Sequence, residues 1–362
     1  MPNSQPKDSL QFLPHSNFSI FLPLGMLKID MHTHLLPEHI PDFSAQFGYG
    51  GFIRLHHHKK GAARMMKGET FFREIQENCW NPQLRIEEYA RHHTQVQVVC
   101  TVPVMFSYWA KPNDTQRVAA FLNDHLAQIQ SDYPKHYVGL GTLAMQDTNL
   151  AIQELRRIKE ELALPGIQIG SNINDINLGD ERLFPIFEAC ADLGMAVLVH
   201  PWNMMGQEHM AKYWLPWLVG MPAETARAAA SMVFSGLFER LPALRVCFAH
   251  AGGSFVPTIG RLEHGFHCRP DLVAIDNQVN PRQAFGRFWV DSITHDAELT
   301  RYILDKIGPQ KMMLGSDYPF PLGDLQIGAY LESNLFTETE KAFIFHGSAL
   351  EWLNLSAQSF AL

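Results

Sequence analysis

The stretch Lys28-Ile29-Asp30-Met31-His32-Thr33-His34 decides how the rest of the chain reads. It is a short apolar run that ends in two histidines two residues apart. On a β-strand, residues i and i+2 face the same way. His32 and His34 therefore present two imidazoles from one rigid edge. Asp30 falls on the same face one layer deeper, where local hydrogen bonding is its expected use. Two such nitrogens are half of a tetrahedral metal site. His-x-His alone is a weak signal, because most such pairs are surface accidents. It gains meaning from what the later strands end in.

Seven further apolar, β-rich runs follow: Val96–Val104, Tyr137–Leu143, Gly166–Gly170, Met195–His200, Leu244–His250, Phe288–Ser292 and Met312–Asp317. Amphipathic segments separate them, among them Leu84–His93, Thr115–Asp132, Asn149–Leu162, Arg182–Leu193, Glu224–Arg240 and Ala297–Ile307. Strands alternating with helices argue for a parallel sheet. Eight near-continuous apolar strands argue for burial on both faces and a closed barrel. The fold class read from this pattern is α/β, a (β/α)8 TIM barrel with insertions after strands 1 and 5. A doubly wound open sheet is the alternative, but it wants a glycine-rich phosphate loop after the first strand, where this chain has His-x-His.

The two insertions leave the carboxyl ends of strands, where barrel active sites lie. Residues 35–81 carry Phe47-Gly48-Tyr49-Gly50-Gly51, and Pro201–Pro222 carries Trp202, Trp214 and Trp217. Connections of that length are commonly lids or substrate walls. The domain reading is a flexible N-terminal tail over 1–26, one metal-dependent barrel over 27–355, and a C-terminal tail over 356–362.

Three other strands end as the first does. One closes on Val199-His200-Pro201-Trp202, one on Ala249-His250-Ala251-Gly252-Gly253, and one on Gly315-Ser316-Asp317-Tyr318-Pro319. In a barrel all four ends converge at one mouth. A catalytic zinc takes three or four protein ligands and keeps a position open for water. His32, His34, His200 and Asp317 supply four. His250 remains, and a free histidine beside a metal suits general acid/base work. Spacing alone leaves His250 open as ligand or base.

The 362 residues are 46% hydrophobic and 18% charged with net charge -8, an ordinary globular composition that argues against nucleic acid as a partner. Five cysteines without a CxxC pair read as reduced thiols in a cytoplasmic protein. No apolar run approaches the length of a membrane helix. Residues 1–25 lack the positive charge and small-residue cleavage pattern of a signal peptide. Met26 is a second candidate start.

The His-x-His of strand one, the single histidines ending strands five and six, and the aspartate ending strand eight resemble the amidohydrolase superfamily. Many binuclear members carry a bridging lysine at the end of strand four. This chain has Gly166-Ile167-Gln168-Ile169-Gly170-Ser171 there. That departure favours the mononuclear branch, which includes non-hydrolytic decarboxylases. The segments Phe72-Arg73, Asn78-Cys79-Trp80, Thr101–Phe106, His200-Pro201-Trp202, Leu215–Thr225 and Gly315–Gly323 are similar to one decarboxylase subfamily of that branch, over about Lys28 to Leu355.

The resemblance implies a zinc-dependent carboxy-lyase of tryptophan breakdown through kynurenine, acting on a small conjugated dicarboxylate. One Zn2+ per subunit would be held by His32, His34, His200 and Asp317. His250 would be the acid/base toward metal-bound hydroxide. Arg73 would bind a substrate carboxylate. Arg261, on the segment after His250, would do so in a neighbouring subunit's site, making the active form a homodimer. Lys67, Met204, Trp217 and Phe320 match positions that wall the pocket. A hydrolase or another decarboxylase on the same scaffold, or a non-catalytic relative, are the alternatives. His56-His57-His58-Lys59-Lys60 reads as an exposed basic loop. His264, His267 and His295 read as structural or surface residues, and Cys268 stays unassigned.

Overall fold

The computed structural model describes residues 26–360. The N-terminal tail read from sequence lies, but for Met26, outside the described residues. Eight parallel strands form the sheet: β1 (Ile29–His34), β2 (Val96–Cys100), β3 (Tyr137–Gly141), β4 (Gly166–Gly170), β5 (Ala196–His200), β6 (Arg245–Phe248), β7 (Trp289–Asp291) and β8 (Met312–Met313). They follow one another in chain order. Backbone bonds from Met31 N to Leu314 O, Asp317 N to His32 O and His34 N to Tyr318 O, each 2.8 Å, join the last strand to the first. The expected α/β barrel is present.

The strands are apolar because both faces are covered. Met31, Val98, Leu140, Leu198, Cys247 and Met313 fill the interior. Val197, Ile167, Val246 and Phe248 face outward onto Leu155, Ile186, Met232 and Ile303 of the surrounding helices. Asp147 and Asp296 cap Thr148–Glu160 and Ala297–Ile307, their carboxylates accepting from Leu150 N and Leu299 N. Each cap satisfies an amide the helix leaves unpaired, which stabilises it by about 1 kcal/mol. Helix Ser348–Leu353 closes the amino end of the barrel, with Trp352 buried and its indole donating to Arg245 O. Ala357–Phe360 forms a further turn, and Phe360 is buried in the same cluster.

Three sequence expectations need correction. The stretch 56–60, read as an exposed basic loop, lies in a strand and its turn within a sheet formed by residues 53–76. That sheet is antiparallel, made of Ile53–Lys59, Ala62–Lys67 and Thr70–Gln76. His56, His57 and His58 therefore sit in a strand, where His57 Nε2 meets Glu38 O at 2.7 Å and His58 lies 3.4 Å from Glu74. Register shifts within both hairpins interrupt the alternation that would have marked them. Second, the β1–β2 register shifts between Asp30 and Thr33. That irregularity turns the Asp30 side chain out of the barrel toward Tyr89 and Ser316, where it makes the local hydrogen bonds expected of it, one of them from His32 N at 3.2 Å. Third, the segment expected as one helix over Glu224–Arg240 is two, Met221–Phe234 and Leu237–Arg240, broken at Gly236 with φ +70°.

Candidate active site

All five residues expected at the barrel mouth meet there. His32 and His34 end β1, His200 ends β5, His250 follows β6 and Asp317 follows β8. The His32 ring lies 5.2 Å from His34, 5.0 Å from His200 and 5.5 Å from His250, centroid to centroid. Asp317 Oδ1 is 2.8 Å from His34 Nε2, 3.6 Å from His32 Nε2 and 3.9 Å from His200 Nε2. Its other oxygen is 3.5 Å from His250 Nε2. Donor atoms of His32, His200, His250 and Asp317 all lie within 4.8 Å of one another.

The second nitrogen of each ring fixes what the first can do. His34 Nδ1 donates to Thr101 O at 2.9 Å and His200 Nδ1 to Pro201 O at 3.0 Å. A carbonyl only accepts, so both protons sit on Nδ1. His32 Nδ1 donates to the Asp291 carboxylate at 2.8 Å. In the neutral rings all three Nε2 atoms are then lone-pair donors, and at His32, where burial is outweighed by the Asp291 and Asp317 carboxylates that raise its pKa, a metal takes the place of a proton. The Nε2 atoms of His32 and His200 are buried and have no hydrogen-bond partner among the described residues. His34 Nε2 faces a carboxylate oxygen, an arrangement that is repulsive until a cation lies between them. Burial holds the His34 imidazole below its usual range despite Asp317, so a proton is not that cation at neutral pH. Burial also draws His200 down to about 3. Burial pushes Asp317 up, but the imidazoles of His200, His250 and His34 around it outweigh burial and hold its carboxyl well below the usual carboxylate range, so it is ionised. Three bare imidazole nitrogens and one carboxylate are a donor set that fits a divalent transition metal.

Backbone conformation aims the last two groups. His250, Ala251 and Asp317 have φ of +55°, +54° and +57°. Left-handed backbone at non-glycine residues is uncommon and concentrates at functional sites. The chain then turns away through Gly253, also left-handed, where a Cβ would stand 2.3 Å from Pro222 O.

A cleft beside the metal-type cluster is walled by His34, Arg73, His200, Trp217, Asp317 and Phe320. Arg73 comes from the third strand of the inserted sheet. Its guanidinium lies 4.8 Å from the Phe320 ring and 5.0 Å from that of Phe72. Burial lowers its pKa, and no carboxylate is bonded to it among the described residues. Trp202 and Trp217 stand between this cleft and an outer cavity that Met204 lines. A cavity on the far side of Asp317 is lined by His250 and by His295, which the sequence reading set aside. Lys67 and Arg261 are exposed. The Lys67 ammonium lies 5.9 Å from the Trp109 ring, and Arg261 sits on helix Ile259–Cys268.

Sequence reasoning missed Asp291. It is fully buried at the end of β7 and binds the His32 ring. A charged residue closing the apolar run Phe288-Trp289-Val290 was its one signal.

An amidohydrolase family model matches residues 29–355. The 2-amino-3-carboxymuconate-6-semialdehyde decarboxylase of Dictyostelium discoideum is 55% identical over 335 residues, covering 92% of this chain and 93% of that protein. The enzyme of the same name from Caenorhabditis elegans is 35% identical, covering 91% and 94%. Among solved structures, 5-carboxyvanillate decarboxylase from Sphingomonas paucimobilis superposes with a TM-score of 0.79 at 22% identity, covering 92% of this chain and all of that one. Dihydroxybenzoic acid decarboxylase from Polaromonas sp. JS666, solved with manganese and 2-nitroresorcinol, gives 0.75 at 19% identity, covering 93% and 99%. The chain belongs to the amidohydrolase family, among its 2-amino-3-carboxymuconate-6-semialdehyde decarboxylases.

Proposed function

We propose that this carboxy-lyase converts 2-amino-3-carboxymuconate 6-semialdehyde to 2-aminomuconate 6-semialdehyde and CO2 with one Zn2+ per subunit, held by His32, His34, His200 and Asp317. The observation that carries the substrate reading is Arg73. A half-buried guanidinium without a carboxylate partner is costly to keep in an empty cleft. It stands in the same cleft as the metal-type donors. A substrate carboxylate satisfies it, with the bidentate geometry guanidinium favours. The faces of Phe320 and Trp217 suit a flat conjugated chain.

When bound, the metal supplies Lewis acidity that makes water a nucleophile near neutral pH. His250 Nε2 takes the proton that water gives up, with the Asp317 carboxylate 3.5 Å away to stabilise the imidazolium. It returns that proton to the carbon bearing the departing carboxylate while hydroxide adds to the neighbouring carbon. The proton-bearing carbon is then tetrahedral. Breaking its bond to the carboxylate releases CO2. The electron pair re-forms the double bond and expels hydroxide. Direct loss from the vinylic carbon would strand that pair without stabilisation.

We further assign the second substrate carboxylate to Arg261 of the partner subunit in a homodimer, and outer-wall contacts to Met204. Lys67 is assigned as a further wall residue on the inserted sheet, although it is exposed and lines neither the cleft nor the outer cavity. The reading places the enzyme in the cytoplasm, in tryptophan breakdown through kynurenine. Among the described residues no helix is long and apolar enough to cross a membrane.

The test is turnover of freshly generated substrate in deuterated water, with metal content measured. Wild type should release stoichiometric CO2 and place deuterium on the former carboxylate carbon. His250→Ala should keep its metal and lose turnover by about 100-fold or more. A metal-loaded wild type that leaves the substrate untouched would remove the substrate assignment.

A further inference from the structure

We infer that Asp291 is a positioning residue that sets both the metal-ligand state of His32 and the aim of His250 through a single carboxylate. The inference rests on the roles proposed above for those two histidines. Asp291 Oδ2 accepts from His32 Nδ1 at 2.8 Å and from the His250 backbone amide at 2.8 Å. Oδ1 accepts from Ala251 N at 2.8 Å and Ile293 N at 3.0 Å. The side chain belongs to β7, while its partners come from β1, the turn after β6 and its own strand end. One buried group thus spans the two elements that carry a metal donor and the acid/base.

Each bond has a distinct consequence. The bond to His32 Nδ1 holds the proton there and frees Nε2 for metal. The bonds to His250 N and Ala251 N fasten two successive non-glycine residues in left-handed backbone, at φ +55° and +54°. Released from that carboxylate, the turn has no other acceptor for those amides among the described residues, and the His250 ring loses its direction. Tying strands β6 and β7 together would need only the amide bonds. It would not need the same oxygen to bond a metal-side imidazole.

The isosteric Asp291→Asn separates these readings. Its carbonyl oxygen has to face the two amides now bonded to Oδ1. The amide nitrogen then falls against His32 Nδ1 and the His250 N–H. That nitrogen can only donate, so it drives the imidazole proton onto Nε2 and leaves the His250 amide without an acceptor. Two measurements follow on purified protein. Affinity for Zn2+, by competition with a chromophoric chelator and without substrate, should fall roughly 10–100-fold. Once fully loaded with metal, the variant should still show kcat lower by about tenfold or more with KM within about threefold, because Arg73 is untouched.

Wild-type metal affinity in the variant overturns the inference. So does wild-type kcat after loading, which would confine Asp291 to ligand orientation. A fall in kcat matched by a rise in KM and a lowered melting temperature would mark a merely structural carboxylate, and would overturn it too. Asp291→Ser, which keeps one acceptor, repeats both measurements if the Asn variant fails to accumulate. The metal affinity needs no substrate, so it decides the first arm even if wild type fails to turn over the muconate. That failure would count against the proposed function instead.

Discussion

Gly315→Ala places one methyl group where the site is tightest. Gly315 has no left-handed backbone, so alanine there carries no conformational penalty and only the contact matters. The added Cβ would stand 2.7 Å from Asp291 Cβ, 3.2 Å from His32 Cβ and 3.4 Å from Asp291 Cγ. Carbons settle about 3.5–4.0 Å apart, so the Asp291 contact must open by about 1 Å. Asp291 has little freedom to yield, since β7 is paired to β8 through Asp291↔Met313 and four donors hold its carboxylate. A shift of that size carries the His32–Asp291 contact from 2.8 Å past the limit of a hydrogen bond.

Overpacking costs about 1–3 kcal/mol, and loss of a charge-assisted bond adds about 1.5–3 kcal/mol. At roughly 2–4 °C per kcal/mol for a chain of this order of size, the metal-free protein should melt about 5–20 °C lower. With the tautomer of His32 no longer held, Zn2+ affinity should drop about tenfold or more. Differential scanning of metal-free protein and chelator competition measure the two separately. A Gly315→Ala protein with wild-type metal affinity would refute the claim that the Asp291–His32 contact governs the metal donor.

Arg73→Gln should lower kcat/KM by roughly 100-fold, the worth of a bidentate charge-assisted pair, with metal content unchanged. Because it removes an unpaired charge, it should melt no lower than wild type; a clear loss of stability would make Arg73 a structural residue. If Arg261 acts across a homodimer, His250→Ala and Arg261→Ala, each inactive alone, should regain roughly a quarter of wild-type activity when refolded together in equal amounts. One site of each mixed dimer is then intact, and no recovery would place Arg261 in its own subunit's chemistry or outside it. Burial draws His125 down to about 4, and its Nε2 has no partner among the described residues. Below pH 6.5 the unfolded chain takes up a proton the folded chain refuses until about pH 4. Stability should therefore fall as pH drops through that window, by at most about 3 kcal/mol. Urea melts of His125→Phe should show a shallower slope there, and an unchanged slope would refute the assignment.

The sequence carried the barrel because its strands are buried on both faces and so read as unbroken apolar runs. Gly166–Gly170 and Ala297–Ile307 were legible to the residue, the first bounded by Pro165 and Ser171, the second by its Asp296 cap. The metal-type donors were legible because each is a polar residue ending such a run. The inserted sheet was not, because two hairpins with register shifts break the period of two. The outward turn of Asp30 depends on a one-residue irregularity in pairing, which no side-chain pattern announces. Asp291 acquires its role only from partners 41 and 259 residues away.

Those long-range partners explain why site and closure coincide. The seam of the barrel lies between β8 and β1, and the bonds that close it run through the backbone of His32, His34 and Asp317. The strands that meet last in sequence thus bring together the donors that need the finest placement. Arg85 reinforces the same seam. Fully buried, it donates to His34 O at 2.7 Å, Asn78 O at 3.1 Å and Thr33 Oγ1 at 3.0 Å, and its guanidinium lies 4.8 Å from the Tyr318 ring. One side chain thereby ties the end of the insertion to the strand that carries His32 and His34 and to the segment that carries Asp317. Arg73 rides on that insertion, so on the proposed roles the substrate carboxylate and the metal share a common fixed point. This connection lets a long insertion project Arg73 into the cleft without loosening the strand ends that carry His32, His34 and Asp317.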